Sequence, residues 1–194
     1  MSFSIDPRAQ ALIFDVDGTL LDTMEVHYQA WRETMADYHI DFSKELFEYL
    51  GGKISPDIVL ALEKEFDRQL PSDQICLAKD QAFVRHAALI QPIHPVLELA
   101  ERYAGVMPLG AATNEHFGVS NIVMRTTGLT PLFQVLVTAD EVERPKPAPD
   151  VFLECARRLG VSPERCQVFE DSRYGLEAAR SAGMIATDVR EVLG

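Results

Sequence analysis

Five short runs of this chain are largely apolar along their whole length: Ala11–Phe14, Val106–Ala112, Gln134–Thr138, Cys166–Phe169 and Met184–Thr187. A strand with one face in water alternates apolar and polar residues. These runs do not, so each needs cover on both faces. Helical patterns lie between them. Val96, Leu97, Ala100 and Tyr103 mark one, and Val119, Ile122 and Val123 another. Val151, Phe152, Cys155, Ala156 and Leu159 mark a third, closed by Gly160, and Leu176, Ala179 and Ala182 a fourth, closed by Gly183. Strand and helix in alternation specify an α/β fold, a Rossmann-like parallel sheet with helices on both faces.

Residues 23–90 break that alternation and contain no strand pattern. Met24, Tyr28, Trp31, Met35 and Tyr38 recur at helical spacing, followed by Leu46, Phe47 and Leu50, then Gly51-Gly52. Ser55-Pro56 reads as an N-cap followed by proline at the first helical position, and Ile58, Val59, Leu62 and Phe66 continue that helix. Ser72 opens a further helix carrying Ile75, Ala78, Ala82 and Leu89. The aromatic stripe is read as bundle core rather than a cofactor box. The expected organisation is a catalytic core formed by residues 1–22 and 91–194, with a small helical cap, residues 23–90, inserted after the first strand. An insertion there emerges beside the first strand's end, where it can act as a lid.

A chain of 194 residues is long enough to bury a sizeable core. Its net charge of −12 argues against a nucleic-acid surface and against anionic membranes. No run is long and apolar enough to span a bilayer, and the short polar N-terminus does not read as a signal peptide. Cys76, Cys155 and Cys166 are odd in number and lack Cys-x-x-Cys spacing, which points to buried thiols in a reducing cytoplasm. A monomer is expected.

Chemistry concentrates where the strands end. Asp15-Val16-Asp17-Gly18-Thr19 follows the first run. Two acids so close are costly together unless a cation joins them, and a divalent metal is the natural partner. Asp-x-Asp-Gly also suits an ordinary turn. It is not an EF-hand loop, because Gly18 comes too early. Thr113-Asn114 follows the second run. Asn114 suits a helix cap, and Thr113 at a helix N-terminus suits a phosphate oxygen. Lys146, set among Pro145, Pro147 and Pro149, is either a solvated charge or a cation aimed by rigid flanks. Glu170-Asp171 ends the fourth run, where Asp171 or Ser172 can also cap the next helix. A parallel sheet brings all these strand ends to one edge.

Taken in order and spacing, these motifs resemble those of the haloacid dehalogenase-like superfamily of phosphohydrolases over essentially the whole chain. Asp15 to Thr19 matches its first motif, Thr113 the second, Lys146 the third and Glu170-Asp171 the fourth. Asp17 to Thr23, with His27 and Trp31, is similar to the branch that holds β-phosphoglucomutases and small sugar-phosphate phosphatases. Lys146 to Met184 and the ending Asp188-Val189-Arg190 are similar to bacterial fructose-1-phosphate and 6-phosphogluconate phosphatases.

The resemblance implies a mechanism. Asp15 is the nucleophile and Asp17 the general acid and base. Thr113, Asn114 and Lys146 bind phosphate. Mg2+ is held by Asp15, the backbone carbonyl of Asp17, Glu170 and Asp171. Asp17 also argues against dehalogenation, since a departing halide needs no proton. His27 shares a helix face with Thr23 and is either near the acid/base or an ordinary polar residue at the base of the cap. Gly52 and Lys53 lie in the cap loop that would meet substrate. Mutase relatives carry basic cap residues where this chain has Ser55 and Gln81, although Lys53 can substitute. The expected activity is therefore hydrolysis of a small sugar phosphate. The alternative is interconversion of β-glucose 1-phosphate and glucose 6-phosphate. A non-catalytic binding protein of the same fold would lack Asp15, Asp17, Lys146 or the acidic pair, and none is missing.

Overall fold

A computed structural model of the chain describes residues 3–193. It forms two compact units, one from the chain up to Asp22 together with the chain from Gln91 onward, the other from Thr23–Ile90.

The first unit is built on a five-stranded parallel sheet. Its strands are β1 (Ala11–Phe14), β4 (Leu109–Ala112), β5 (Val135–Val137), β6 (Cys166–Glu170) and β7 (Ile185–Asp188), in the order β5-β4-β1-β6-β7. The chain builds outward from β1 to β5, then returns to the other side of β1 for β6 and β7. β1 is thus the point where the winding reverses, and ligands bind beyond the carboxyl ends of strands at such a point. The helices of this unit are α5 (His94–Tyr103), α6 (Phe117–Thr126), α7 (Asp150–Leu159), α8 (Arg173–Ser181) and the four-residue α9 (Arg190–Leu193).

All of β1 is buried, as is β4. Ala11 and Ile13 point to one face, where they pack with Val137, Val168 and the apolar sides of α7 and α8, including Phe152, Cys155 and Ala178. Leu12 and Phe14 take the other face. There Phe14 stacks on Phe169 at 4.9 Å between ring centroids and meets Phe133 edge-on.

The second unit holds α1 (Met24–Ala36), α2 (Lys44–Leu50), α3 (Ser55–Glu65) and α4 (Ser72–Arg85), and no strand among the described residues. Its core gathers Trp31, Met35, Ile40, Phe42, Leu50, Ile58, Leu62 and Ile75, with Trp31 stacked on Phe42.

Several elements differ from the sequence reading. The second strand begins at Leu109 rather than Val106, which is 72 % exposed in the turn before it. Ser55 is the first helical residue of α3 and not its cap, with Pro56 beside it, whereas Ser72 opens α4 as expected. Leu89 lies past α4 in a short 3-10 turn (Ala87–Leu89) and is 68 % exposed, and Tyr38 follows the end of α1. The two-residue strands β2 (Leu21–Asp22) and β3 (Gln91–Pro92) have no sequence pattern. They pair antiparallel where the chain leaves and re-enters the first unit.

Candidate active site

Parallel strands deliver their following residues to one edge. Asp15 follows β1, Thr113 follows β4, and Glu170 ends β6 with Asp171 next. After Asp15 the chain turns tightly. Leu20 and Leu21 both donate their N–H to the Val16 carbonyl at 3.0 Å, and Gly18 donates to Leu21 at 2.8 Å. Gly18 has φ 82°, and a Cβ there would lie 2.5 Å from Asp171 Oδ2. Glycine is therefore required twice, for the turn and for the approach of the acid.

Lys146 holds the centre. Its Nζ donates to Asp15 Oδ1 at 2.6 Å, to Glu170 Oε2 at 2.8 Å and to the Ala112 carbonyl at 3.0 Å. An ammonium has three protons, so all are committed. Phe152 closes the side below it, with Nζ 4.6 Å from the ring centroid. In this arrangement Lys146 has no N–H left over and can offer a further ligand only its charge.

Glu170 is equally occupied. Its Oε1 accepts from the N–H groups of Asp171 (3.1 Å) and Ser172 (2.9 Å). Gly175 lets it lie there, because a Cβ at that position would overlap the carboxylate. Ser172 caps α8 by accepting from the Gly175 N–H, so Asp171 is spared that task. Asp171 instead accepts from the Thr19 hydroxyl at 3.0 Å. Thr19 is visible in the sequence only as the last residue of the first motif, without this role. Gly175 and the Ala112 carbonyl are not singled out there, and of these two Gly175 carries a signal, as a glycine in the first turn of an otherwise good helix.

The electrostatics show an excess of negative charge. Burial, then the charge of Glu170, push the Asp15 carboxyl well above its usual range, against the pull of Lys146. Burial and Glu170 likewise push Asp171 up to about 6. Burial alone would lower the Lys146 ammonium, yet Asp15 and Glu170 raise it. Both ends of one ion pair thus shift upward. One cation is shared between buried acids, so the lysine gains partners while Asp15 still faces other carboxylates.

Oxygens of Asp15, Glu170 and Asp171 lie within 4.8 Å of one another. A crowded, all-oxygen, under-neutralised donor set fits a hard divalent cation.

Thr113 and Asn114 do not open a helix, because α6 begins only at Phe117. The Thr113 hydroxyl donates to Asp17 Oδ2 at 3.0 Å and accepts from the Glu115 N–H at 3.0 Å. Asn114, expected on phosphate, has its side-chain amide engaged at both ends by the Lys146 backbone. Its Oδ1 accepts the Lys146 N–H at 2.8 Å and its Nδ2 donates to the Lys146 carbonyl at 3.1 Å.

His27, Gly52 and Lys53 belong to the helical unit. The His27 ring is buried and stacks on Phe83 at 4.1 Å. Gly52, with φ 80°, and Lys53 are exposed in the turn after α2. Ser55 is buried at the start of α3, and Gln81 is exposed on α4.

The family profile described as "Haloacid dehalogenase-like hydrolase" matches residues 12–189. The chain is 36 % identical over 185 residues to fructose-1-phosphate phosphatase YqaB of Escherichia coli (strain K12), covering 94 % of this chain and 97 % of that protein. Among solved structures it resembles CbbY from Rhodobacter sphaeroides in complex with phosphate. The TM-score is 0.82 at 30 % identity, over 92 % of this chain and 84 % of that one. A structure of CbbY from the same organism in complex with xylulose-(1,5)bisphosphate superimposes as well, with TM-score 0.82, 29 % identity and the same coverage.

Proposed function

The chain belongs to the haloacid dehalogenase-like hydrolase family, and from that premise we propose that it is a phosphatase that hydrolyses small sugar phosphates of the fructose 1-phosphate or 6-phosphogluconate type. The observation that carries this reading is the buried triad of Asp15, Lys146 and Glu170, with Asp17 beside it on the Thr113 hydroxyl. A nucleophilic carboxylate held by a cation and a second carboxylate two residues on suit acid–base-assisted phosphoryl transfer. The resemblance to a fructose-1-phosphate phosphatase and to a sugar-bisphosphate complex supports the substrate class.

In this reading Asp15 attacks phosphorus and the bond to the sugar oxygen breaks. Asp17 gives its proton to that oxygen, so the alcohol leaves neutral. Water then attacks the aspartyl-phosphate as Asp17 takes its proton, the Asp15–phosphorus bond breaks, and inorganic phosphate departs. Lys146 fixes the Asp15 carboxylate and offsets its charge, and Thr113 orients Asp17. Asp15, the Asp17 backbone carbonyl, Glu170 and Asp171 would hold Mg2+, which supplies positive charge against the phosphoryl oxygens when bound. Residues 23–90 serve as the cap that selects the sugar, with His27, Gly52 and Lys53 as its candidate contacts. The free thiols, with Cys155 and Cys166 buried, suit a cytoplasmic setting.

The test is phosphate release from a panel of small phosphate esters with Mg2+, run with Asp15→Asn, Asp17→Ala and a β-glucose 1-phosphate isomerisation assay. Release from fructose 1-phosphate or 6-phosphogluconate, lost in both variants, is the expected result. Rapid isomerisation with little release would make the protein a mutase. Full activity in Asp15→Asn would remove it as nucleophile.

A further inference from the structure

Lys146 sits in a segment whose backbone has few means of being held. Pro145, Pro147 and Pro149 remove every second N–H between 144 and 149. The Ala148 N–H is spent locally on the Pro145 carbonyl at 3.0 Å. No strand ladder can pin such a segment. Yet the Lys146 ammonium meets three acceptors from three other places in the chain, at 2.6 to 3.0 Å. Something must fix its main chain to that tolerance.

Asn114 meets that need. Its side-chain amide faces the Lys146 peptide groups as a neighbouring strand would, accepting the N–H at 2.8 Å and donating to the carbonyl at 3.1 Å. The same residue follows Thr113, whose hydroxyl holds Asp17 at 3.0 Å. Two consecutive residues after β4 thus grip the two loops that carry the acid/base and the cation. Both ends of the Asn114 amide are thus engaged on the Lys146 backbone, with one Nδ2–H remaining.

We propose that Asn114 is a positioning residue that acts on the reaction only through Lys146, by clamping its backbone so that the ammonium registers on Asp15 and Glu170. This rests on the phosphatase reading above. Misplacing a catalytic group by about 1 Å can cost on the order of 10²-fold. Asn114→Ala should therefore lower kcat/KM by about ten- to a hundredfold while the protein stays folded.

The deciding experiment is a double-mutant cycle on fructose 1-phosphate hydrolysis, measured in single turnovers with Mg2+, using Asn114→Ala, Lys146→Met and the pair. If Asn114 works through Lys146, removing it from the Lys146→Met protein costs less than about twofold further. Equal losses in both backgrounds would show that Asn114 touches the substrate itself, and the proposal would be wrong. It is equally wrong if Asn114→Ala lowers only the melting temperature and leaves kcat/KM intact. Asn114→Asp keeps the acceptor for the Lys146 N–H and loses the donor. It should fall between wild type and Asn114→Ala, and serves if the alanine variant does not fold. Should the wild-type protein hydrolyse no ester, the functional reading fails on its own. A crystal structure of the Asn114 variant then decides: displacement of Lys146 Nζ from Asp15 and Glu170 supports the clamp, and an unmoved Nζ overturns it.

Discussion

A lysine ammonium buried without partners would lose its proton, and a carboxylate buried without partners would keep one. Lys146, Asp15 and Glu170 offset these costs by sharing two short contacts in a place almost closed to water. Breaking such an arrangement from one side leaves the other charges uncompensated, at a cost of about 3–5 kcal/mol. Lys146→Met keeps the stem beside Phe152 and removes only the charge, so it should lower the urea-unfolding free energy by that amount in EDTA. A loss below ~1 kcal/mol would show that the acids need no cation. Lys146→Arg should not rescue it, because a planar fork cannot reach three acceptors grouped about one point. Thr113 makes a narrower case. Its hydroxyl is the link between Asp17 and the Glu115 N–H. Thr113→Val keeps the shape and loses the link, whereas Thr113→Ser keeps the link. Steady-state kinetics should show kcat falling at least about tenfold in the valine variant, on the scale of a lost acid–base contribution, and little in the serine variant.

Strands and helices here meet at glycines for two different reasons, and substitutions separate them. Gly110 lies in β4, where a Cβ would run into Cys155 Sγ and approach Leu159 Cδ1 to 3.1 Å, both on α7. Gly160 ends α7 at φ 71° with open space around its missing Cβ. Gly110→Ala is an overpacking change in a dry core, expected to cost about 1–3 kcal/mol. Gly160→Ala carries only the left-handed backbone strain, about 1 kcal/mol. Chemical denaturation of the two variants should rank them in that order, and the reverse order would mean that α7 shifts freely over β4. The contrast also marks what the sequence can tell. Gly160 closing an apolar helix is a local signal and was legible, as were the runs that became β1 and β6, because burial on both faces leaves no polar residue to mislead. Gly110 looks like any glycine until α7 lies across it. The same limit holds in the site. Asp15, Asp17, Lys146 and the acidic pair stand out as charges at strand ends, but the helix start at Phe117 removes the cap role from Asn114. Its grip on Lys146 joins residues 32 apart and has no sequence pattern. The β2–β3 ribbon is likewise a pairing of two residues with two, too short for any periodicity.

A molecule with a net charge of −12 that gathers Asp15, Glu170 and Asp171 around a single lysine folds in spite of its site. The upward shifts of Asp15 and Asp171 express that cost, since each carboxylate is harder to ionise here than in an unfolded chain. A divalent cation bound at these acids would return the missing stability, because a ligand that binds only the folded state stabilises it by mass action. That amounts to about 2.7 kcal/mol at a hundred times its Kd. For a chain of this length about 1 kcal/mol moves the melting point by roughly 2–4 °C, so saturating Mg2+ should raise it by about 5–10 °C over EDTA. Asp171→Asn separates the cost from the gain. The amide still accepts from the Thr19 hydroxyl but removes one of the crowded charges. In EDTA this variant should melt at or above the wild-type temperature, and Mg2+ should shift it by much less. Scanning calorimetry of both proteins with and without the metal checks this. If Asp171→Asn instead melts well below wild type in EDTA and keeps the full Mg2+ shift, then Asp171 serves the fold, and the cation is held by the other acids alone.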